Sequence, residues 1–428
     1  MTALHLRNAR LVDPEAGTET EGDLLIDNGA IAAVGDVSPP PGARTLDCAG
    51  KALAPGIVDV GVFVGEPGAR HRESYRTAGL AAAAGGVTTF VAMPSTEPSI
   101  DDPAMVEFVK RRAEAVCPVN VEVMGALTQG LSGARMSEMG LLRDAGAVAF
   151  TDADRYLSDA SILRRCLAYA ASLDALVLHH PQEAALSQGV ATEGFFATKS
   201  GLPGVPALAE RVGLERDLAL AELSGARYHA HQLSTEGALA PLARAKAAGL
   251  QVTASASIHH LTLNEIDIEP YRTFFKLSPP LRPETDRQAL VQAAADGLID
   301  VICSGHLPQD EELKRVPFAA AAPGAVGLET LLPAAMQLVH AGWMDLSTLW
   351  ARISLAPARL LGLPCGRLTP GAPADLVLFD PHAPLVLDRF ELNSRSKNTP
   401  YDGRRMQGRV LATFRAGALV HGGAAWAG

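Results

Sequence analysis

No two of the five cysteines sit as a CxxC pair: Cys48, Cys117, Cys166, Cys303 and Cys365 are scattered along the chain. That pattern argues against a zinc knuckle or a disulfide frame and for reduced thiols in a cytoplasmic protein. No Lys/Arg-rich block interrupts a chain of net charge −10 and pI near 5.7, which argues against nucleic acid or an anionic membrane surface as the main partner. No apolar run approaches the roughly 20 residues that a bilayer span needs. The first twelve residues are polar-interrupted and read as a strand rather than a signal peptide. Neither an internal repeat nor a long low-complexity tract is present. No GxGxxG opens a helix, so nothing points to a dinucleotide fold.

What is present is an ordinary globular composition, 48% hydrophobic and 20% charged over 428 residues, with 40 glycines that suit short turns and close backbone packing. The length fits two or three domains, or one large barrel with an accessory domain. The N-terminal stretch reads as β-structure. Asn28-Gly29 stands between two apolar runs, a hairpin signal because both turn positions favour positive φ. From about residue 54 to 363 the texture changes to strand–helix alternation. Eight short apolar runs recur, at 57–64, 88–93, 119–127, 147–151, 175–179, 226–233, 251–257 and 300–304. Between them lie helical patterns. Ile162, Leu163, Cys166, Leu167 and Ala170 share one face, with Ser158 as the expected N-cap, and Asp102-Pro103 supplies a cap and an N1 proline to another helix. Eight strands mostly followed by helices predict an α/β fold, a closed (β/α)₈ TIM barrel. After residue 363 the β-texture returns, at 374–381, 409–415 and 418–421. The expected organisation is therefore a barrel over 55–363, with residues 1–54 and 364–428 meeting in a small composite β-sandwich-like domain.

Several stretches then carry a resemblance: Ala54-Pro-Gly-Ile-Val-Asp59, Glu66-Pro-Gly68, Ala84-Gly-Gly-Val-Thr-Thr89, Met93-Pro94, Gly201-Leu-Pro-Gly204, Leu233-Ser-Thr235, Pro279-Pro-Leu-Arg282, Gly371-Ala-Pro-Ala-Asp-Leu376 and Ser396-Lys-Asn-Thr-Pro400. In order and spacing they resemble dihydroorotase, of the amidohydrolase superfamily, with allantoinases and hydantoinases as weaker matches. The resemblance implies one or two divalent metals at the C-terminal mouth of the barrel, which polarise a cyclic amide and activate a bound water.

The residues that the resemblance assigns to that chemistry are mostly absent. Gly61 and Phe63 stand where an HxH on the first strand should bind metal, and Gly65 where an arginine should meet the substrate carboxylate. Ser95 and Ser278 replace two asparagines, Gln232 replaces a ligand histidine, and Gly305 replaces the aspartate that binds metal and shuttles a proton, with Gln309 in the place of a following histidine. Asp152 and His179 match two surviving ligand positions. They fall short of the three protein ligands of a catalytic zinc site, so they are expected to form a hydrogen-bonded pair in the barrel mouth. His180, His229 and His231 are expected to be packing histidines on alternate strand faces, His259-His260 a structural pair, His71 a loop residue without a role, and His306 the histidine that could serve as an improvised ligand.

The expected function is that of a non-catalytic homologue kept for assembly, without a cofactor. The resemblance extends to inactive dihydroorotase-like chains that associate with aspartate carbamoyltransferase, which makes that enzyme the expected partner, with a homo-oligomeric state. Two alternatives stand: an active zinc-dependent cyclic amidase with a rearranged site built on Asp152, His179 and His306, and a small-molecule-binding regulatory barrel. The loops 261–274 and 307–324 are expected to leave the C-terminal face where a lid would sit.

Overall fold

The computed structural model describes residues 3–269 and 271–423. The extreme ends of the expected β-domain and residue 270 of the expected loop lie outside them. Five strands come first: β1 (Leu4–Asp13), β2 (Thr18–Asp27), β3 (Ala30–Gly35), β4 (Arg44–Asp47) and β5 (Ala52–Pro55). Asn28 (φ 49°) and Gly29 (φ 81°) turn β2 into β3, as their residue types predict.

The barrel strands follow: β6 (Ile57–Val62), β7 (Val87–Ala92), β8 (Asn120–Ala126), β9 (Ala147–Thr151) and β10 (Leu176–His179). A short parallel pair, β11 (Ala191–Thr192) and β12 (Gly204–Val205), lies outside the barrel. The barrel resumes with β13 (Arg227–Ala230), β14 (Val252–Ser257) and β15 (Val301–Cys303). All eight expected runs become strands, each parallel to its neighbours, in the order β6 to β10 and then β13 to β15. The circle is joined between its last and first members by Ser304 N–H donating to Asp59 Oδ1 (2.8 Å) and Phe63 N–H donating to the His306 carbonyl (3.0 Å). Val60, Val91, Met124, Ala149, Leu178 and Val301 fill the barrel as a cluster of their own, while the larger core lies between strands and outer helices.

Helix caps follow local chemistry. Asp102 accepts from Ala104 N at the start of Pro103–Val116. The helix Ala160–Ser172 is capped by Asp159, not by Ser158, because the Asp159 carboxylate reaches the N–H groups of both Ser161 and Ile162. Its expected apolar face, Ile162 to Ala170, is buried.

Beyond the barrel come β16 (Leu376–Val386), β17 (Arg405–Arg415) and β18 (Ala418–Gly422). They join β5, β1, β2 and β3, with β4 alongside β1, in one eight-stranded, mainly antiparallel sheet. Strands from both chain ends thus share one sheet, with a separate core around Leu6, Leu24, Leu53, Leu376 and Phe414. The expected lid loops carry short helical turns, at Ile258–Thr262, Glu265–Ile268, Thr273–Phe275 and Glu311–Lys314. No described helix is long and apolar enough to cross a membrane.

Candidate active site

The C-terminal ends of the barrel strands surround a cavity of about 60 Å³. It is lined by six of the eight positions singled out as replaced, Gly61, Phe63, Ser95, Gln232, Ser278 and Gly305, together with His180, His231, His259, His260 and His306.

At the end of β6, Gly61 has φ +85°, and a Cβ there would stand 2.6 Å from His231 Nε2 and 2.8 Å from Met93 Cε. The imidazole of His231 occupies the space that a side chain at position 61 would use. Phe63 is buried under the Arg72 guanidinium, which lies 4.1 Å from its ring centroid. Arg72 is held there by Nε and Nη2 donating to the Pro308 carbonyl at 3.0 and 2.8 Å. At Gly65, outside the cavity lining, a Cβ would come within 2.2 Å of the Ala69 carbonyl oxygen, so the following loop has closed over the place of the expected arginine.

Asp152 and His179 do not form the expected pair, and neither lines the cavity. The Asp152 carboxylate accepts from Thr128 N (2.9 Å) and Thr128 Oγ1 (2.5 Å). Burial pushes its pKa up, opposed by those bonds and by His179. The His179 ring donates from Nδ1 to Asp217 Oδ2 (2.6 Å) and accepts at Nε2 from Leu157 N (2.9 Å). Burial would raise Asp217, but His179, Arg216 and Tyr228 outweigh it and hold the carboxyl below its usual range. The reason lies in strand phase: Leu176 and Leu178 belong to the barrel-interior cluster, so His179 turns outward to the helix Leu208–Ser224. The next residue, His180, lines the cavity instead, as Ala153 and Asp154 do beside Asp152.

His231 lines the cavity beside Gln232, whose φ of +59° breaks the strand alternation there. His229 and His231 do not lie on opposite faces. They are two residues apart, with ring centroids 6.1 Å apart. The missed signal was available, since residues two apart in a strand share a face and the Leu-x-Leu of β10 fixes its inward phase.

Gly305 has φ +63°, and a Cβ would lie 3.0 Å from Ser257 Cβ and 3.2 Å from His259 Cδ2. His306 is committed elsewhere: Nδ1 accepts from Gly327 N (3.1 Å) and Leu328 N (3.4 Å), and Nε2 faces the buried Glu73 at 3.5 Å. Sequence reasoning passed over Glu73, which also holds Ser394 and Arg395 of the C-terminal segment. Gln309 donates to the Pro323 carbonyl (2.6 Å) and thereby ties its own loop together. His71 is exposed and faces Asp310 at 3.0 Å.

The second histidine pair splits in role. His260 is bonded at both nitrogens, to Ser257 Oγ (2.8 Å) and the Pro279 carbonyl (3.0 Å), whereas His259 bonds only Tyr401 through Nδ1 (3.3 Å). Burial drives His231 well below the usual imidazole range, His259 to about 3 and His260 to about 4, so these rings are neutral near pH 7. Among the described residues, no group of three or more His, Cys, Asp or Glu could hold a metal ion. The donors present therefore do not fit a catalytic zinc site, and no catalytic step through a metal follows from them.

The chain matches the family model described as "Dihydro-orotase-like" over residues 50–238. It is 39% identical over 420 residues to the dihydroorotase of Pelobacter propionicus, covering 98% of this chain and 99% of that one. The chain belongs to the dihydroorotase-like family. Another member, named a dihydroorotase-like protein, from Pseudomonas aeruginosa, is 41% identical over 424 residues, covering 98% of this chain and 100% of the relative. Among solved structures, the L-hydantoinase (dihydropyrimidinase) of Arthrobacter aurescens superposes with a TM-score of 0.90 at 25% identity, covering 99% of this chain and 96% of that one. The family frame is thus retained from end to end, around a mouth whose donors differ from those the dihydroorotase resemblance implies.

Proposed function

We propose that this member of the family is a non-catalytic dihydroorotase homologue of pyrimidine biosynthesis, working in the cytoplasm as an assembly partner of aspartate carbamoyltransferase. The observation that carries the non-catalytic part is the filling of the site. His231 stands where a side chain at Gly61 would go, and Phe63 under Arg72 takes the neighbouring space. A change of metal would alter one or two donors. Here the metal shell, the proton shuttle and the carboxylate clamp are all replaced, and the space has been repacked.

The assembly part rests on the resemblance and on the intact frame. Turns at Ala84–Thr89 and Gly201–Gly204 and the closing sheet persist, although errors in such places commonly cost ~1 kcal/mol or more. Coexpression with the aspartate carbamoyltransferase of the same organism, followed by size-exclusion chromatography, is the test. Co-elution at a mass above either chain alone is expected, and the same run gives the state of the chain by itself, expected to be a homo-oligomer. Separate elution at micromolar concentration, with the transcarbamoylase assembled and fully active by itself, overturns the reading.

A second reading, a working cyclic amidase with a rearranged metal site, draws support from the 39% identity to a protein named dihydroorotase. It requires stoichiometric metal. Elemental analysis of the purified chain is expected to give far less than one zinc per chain; about one or more, without added metal, would favour the amidase.

A further inference from the structure

A second cavity, of about 240 Å³, lies between the turn Glu311–Lys314 and residues 389–398, and it shares no lining residue with the cavity at the barrel mouth. Its lining carries four cations, Lys314, Arg389, Arg395 and Lys397, in a chain whose net charge is −10. None has a carboxylate to itself. Arg389 Nε stands 3.8 Å from Asp402, which Arg272 holds at 2.5 Å. Lys314 gives its protons to the carbonyls of Thr273 (3.0 Å), Lys276 (3.4 Å) and Ala322 (2.6 Å), and Lys397 donates to the Leu392 carbonyl. Glu329 feels Lys397 from beyond ion-pair distance, its oxygens being taken by Asn393 and Ser394. The Arg395 guanidinium is exposed and has no partner among the described residues. The two carboxylates of the lining are answered by other groups, Asp310 by His71 (3.0 Å) and Glu311 by Arg315 (2.5 Å). Its neutral polar groups are spent on the fold. Ser396 Oγ donates to the Arg72 carbonyl (2.9 Å) and Asn398 Nδ2 to the Gly324 carbonyl (2.9 Å), while Asn398 Oδ1 accepts from Gln309 N (3.1 Å). What the cavity has left to offer is positive charge and N–H donors.

The same wall is aromatic. The Arg389 guanidinium lies 5.2 Å from the Phe274 ring centroid and 4.5 Å from that of Phe390. Phe390 is nonetheless 69% exposed, a flat apolar surface left open at a cationic cavity. We propose that this cavity binds a small phosphorylated molecule carrying a planar ring, a nucleoside monophosphate being the fitting class, with Arg395 and Lys397 on the phosphate and Phe390 stacked on the ring. A guanidinium fork matches two phosphate oxygens, and an aromatic side chain stacks on any base. A volume of about 240 Å³ holds roughly 16–24 water-sized groups at ~10–15 Å³ each, far more than one phosphate and comparable to a nucleoside monophosphate. A neutral ligand would leave the cations unanswered, and an anion without a ring would leave Phe390 in water. The inference holds whether or not the chain assembles with a transcarbamoylase.

Three probes test it by calorimetric titration into the full chain at neutral pH and low salt: adenosine monophosphate (ring and phosphate), ribose 5-phosphate (phosphate alone) and adenosine (ring alone). Adenosine monophosphate is expected to bind with a Kd below the millimolar range, and at least about tenfold more tightly than either of the others. Arg395→Ala should weaken adenosine monophosphate and ribose 5-phosphate alike, by about tenfold. Phe390→Ala should bring adenosine monophosphate down to the level of ribose 5-phosphate and leave ribose 5-phosphate unchanged. Both side chains are exposed, so both variants should melt with the wild type. If either fails to fold, the three probes on the wild-type chain decide alone. Adenosine or ribose 5-phosphate binding as tightly as adenosine monophosphate, no binding of adenosine monophosphate up to millimolar concentration, or full binding by both variants overturns the inference.

Discussion

The two ends of the first barrel strand, β6, are held by different things. At its start the obligations are largely those of the backbone. Gly56 N–H donates to the Asp375 carbonyl (2.8 Å), the Gly56 carbonyl accepts from Ser354 Oγ (2.7 Å), and the Pro55 carbonyl accepts from Trp350 Nε1 (2.8 Å). A Cβ at Gly56 would stand 2.0 Å from Thr88 Oγ1 of β7, so the chain enters the barrel against its neighbouring strand with no space to spare. At the other end, Gly61 and Phe63 meet the side chains of His231, Met93 and Arg72, and four imidazole Nε2 atoms (His180, His231, His259 and His306) are buried without a hydrogen-bond partner. A contact between side chains can be exchanged for another that fills the same space. A junction in which buried main-chain groups take their partners from separate elements cannot, because each change orphans a buried donor or acceptor. The seam therefore tolerates less exchange than the mouth.

The comparison breaks first at the seam. Gly56→Ala should cost roughly 3 kcal/mol or more, read as a large fall in the urea midpoint or as insoluble expression. A near-wild-type midpoint would mean that the seam yields as readily as the mouth. Acid should act next, and at the mouth. Burial holds His259 to about 3 and His260 to about 4, against an ordinary value near 6.5. These folded-state values are depressed, so the unfolded chain binds protons first as pH falls. The stability that these neutral rings carry is complete above about pH 6.5 and is lost as pH falls from there through the folded-state values. By pH 5 the loss should be about 2 kcal/mol per ring, and His259→Phe should flatten the midpoint-versus-pH curve by one ring's share. A curve unchanged by that variant would place the acid sensitivity elsewhere.

Smaller effects sharpen the contrast. Trp350→Phe keeps a ring to stack on Phe379 (4.6 Å) but orphans the Pro55 carbonyl, an expected cost of about 1–2 kcal/mol in thermal unfolding. Arg72→Ala uncovers Phe63 and frees the Pro308 carbonyl at the wetter rim, where about 1 kcal/mol is expected. The smallest change should be in activity. Gly61→His, Phe63→His, Gln232→His and Gly305→Asp together should restore no dihydroorotase turnover in either direction. Positions 61 and 305 have positive φ with occupied space, and the clamp position at Gly65 is closed by Ala69. Substantial turnover by the fourfold variant would show the mouth to be reversible.

Legibility in the sequence followed the same division. Periodicity found every barrel strand, Asn28-Gly29 its hairpin, and Asp102-Pro103 its helix start, because each rests on residues near one another in the chain. Ser158 failed as a cap by one residue, since Asp159 offers a carboxylate that reaches two N–H groups. At the site, the replaced positions were legible as identities, and six of them line one cavity. The direction of Asp152 and His179 was not legible from their motifs alone. An ungapped match carries a residue to a position but not to a face, and one residue of phase decides whether a strand-end side chain meets the barrel mouth or the helix layer.

The amino-acid order by itself determined that this chain winds a parallel barrel between two halves of a β-domain, and that Gly61, Phe63, Gly65, Gln232 and Gly305 cannot supply the expected donors. Both conclusions need only local pattern and side-chain chemistry. Only the tertiary structure decided where the surviving polar groups point: His179 to Asp217, Asp152 to Thr128, His306 toward Glu73, and His180, His231 and His259 into one small cavity. The phase of β10 gives the face that His179 takes, but the partners depend on contacts between residues far apart in sequence, such as the 142 positions between His259 and the Tyr401 hydroxyl that it meets, and no local pattern encodes those.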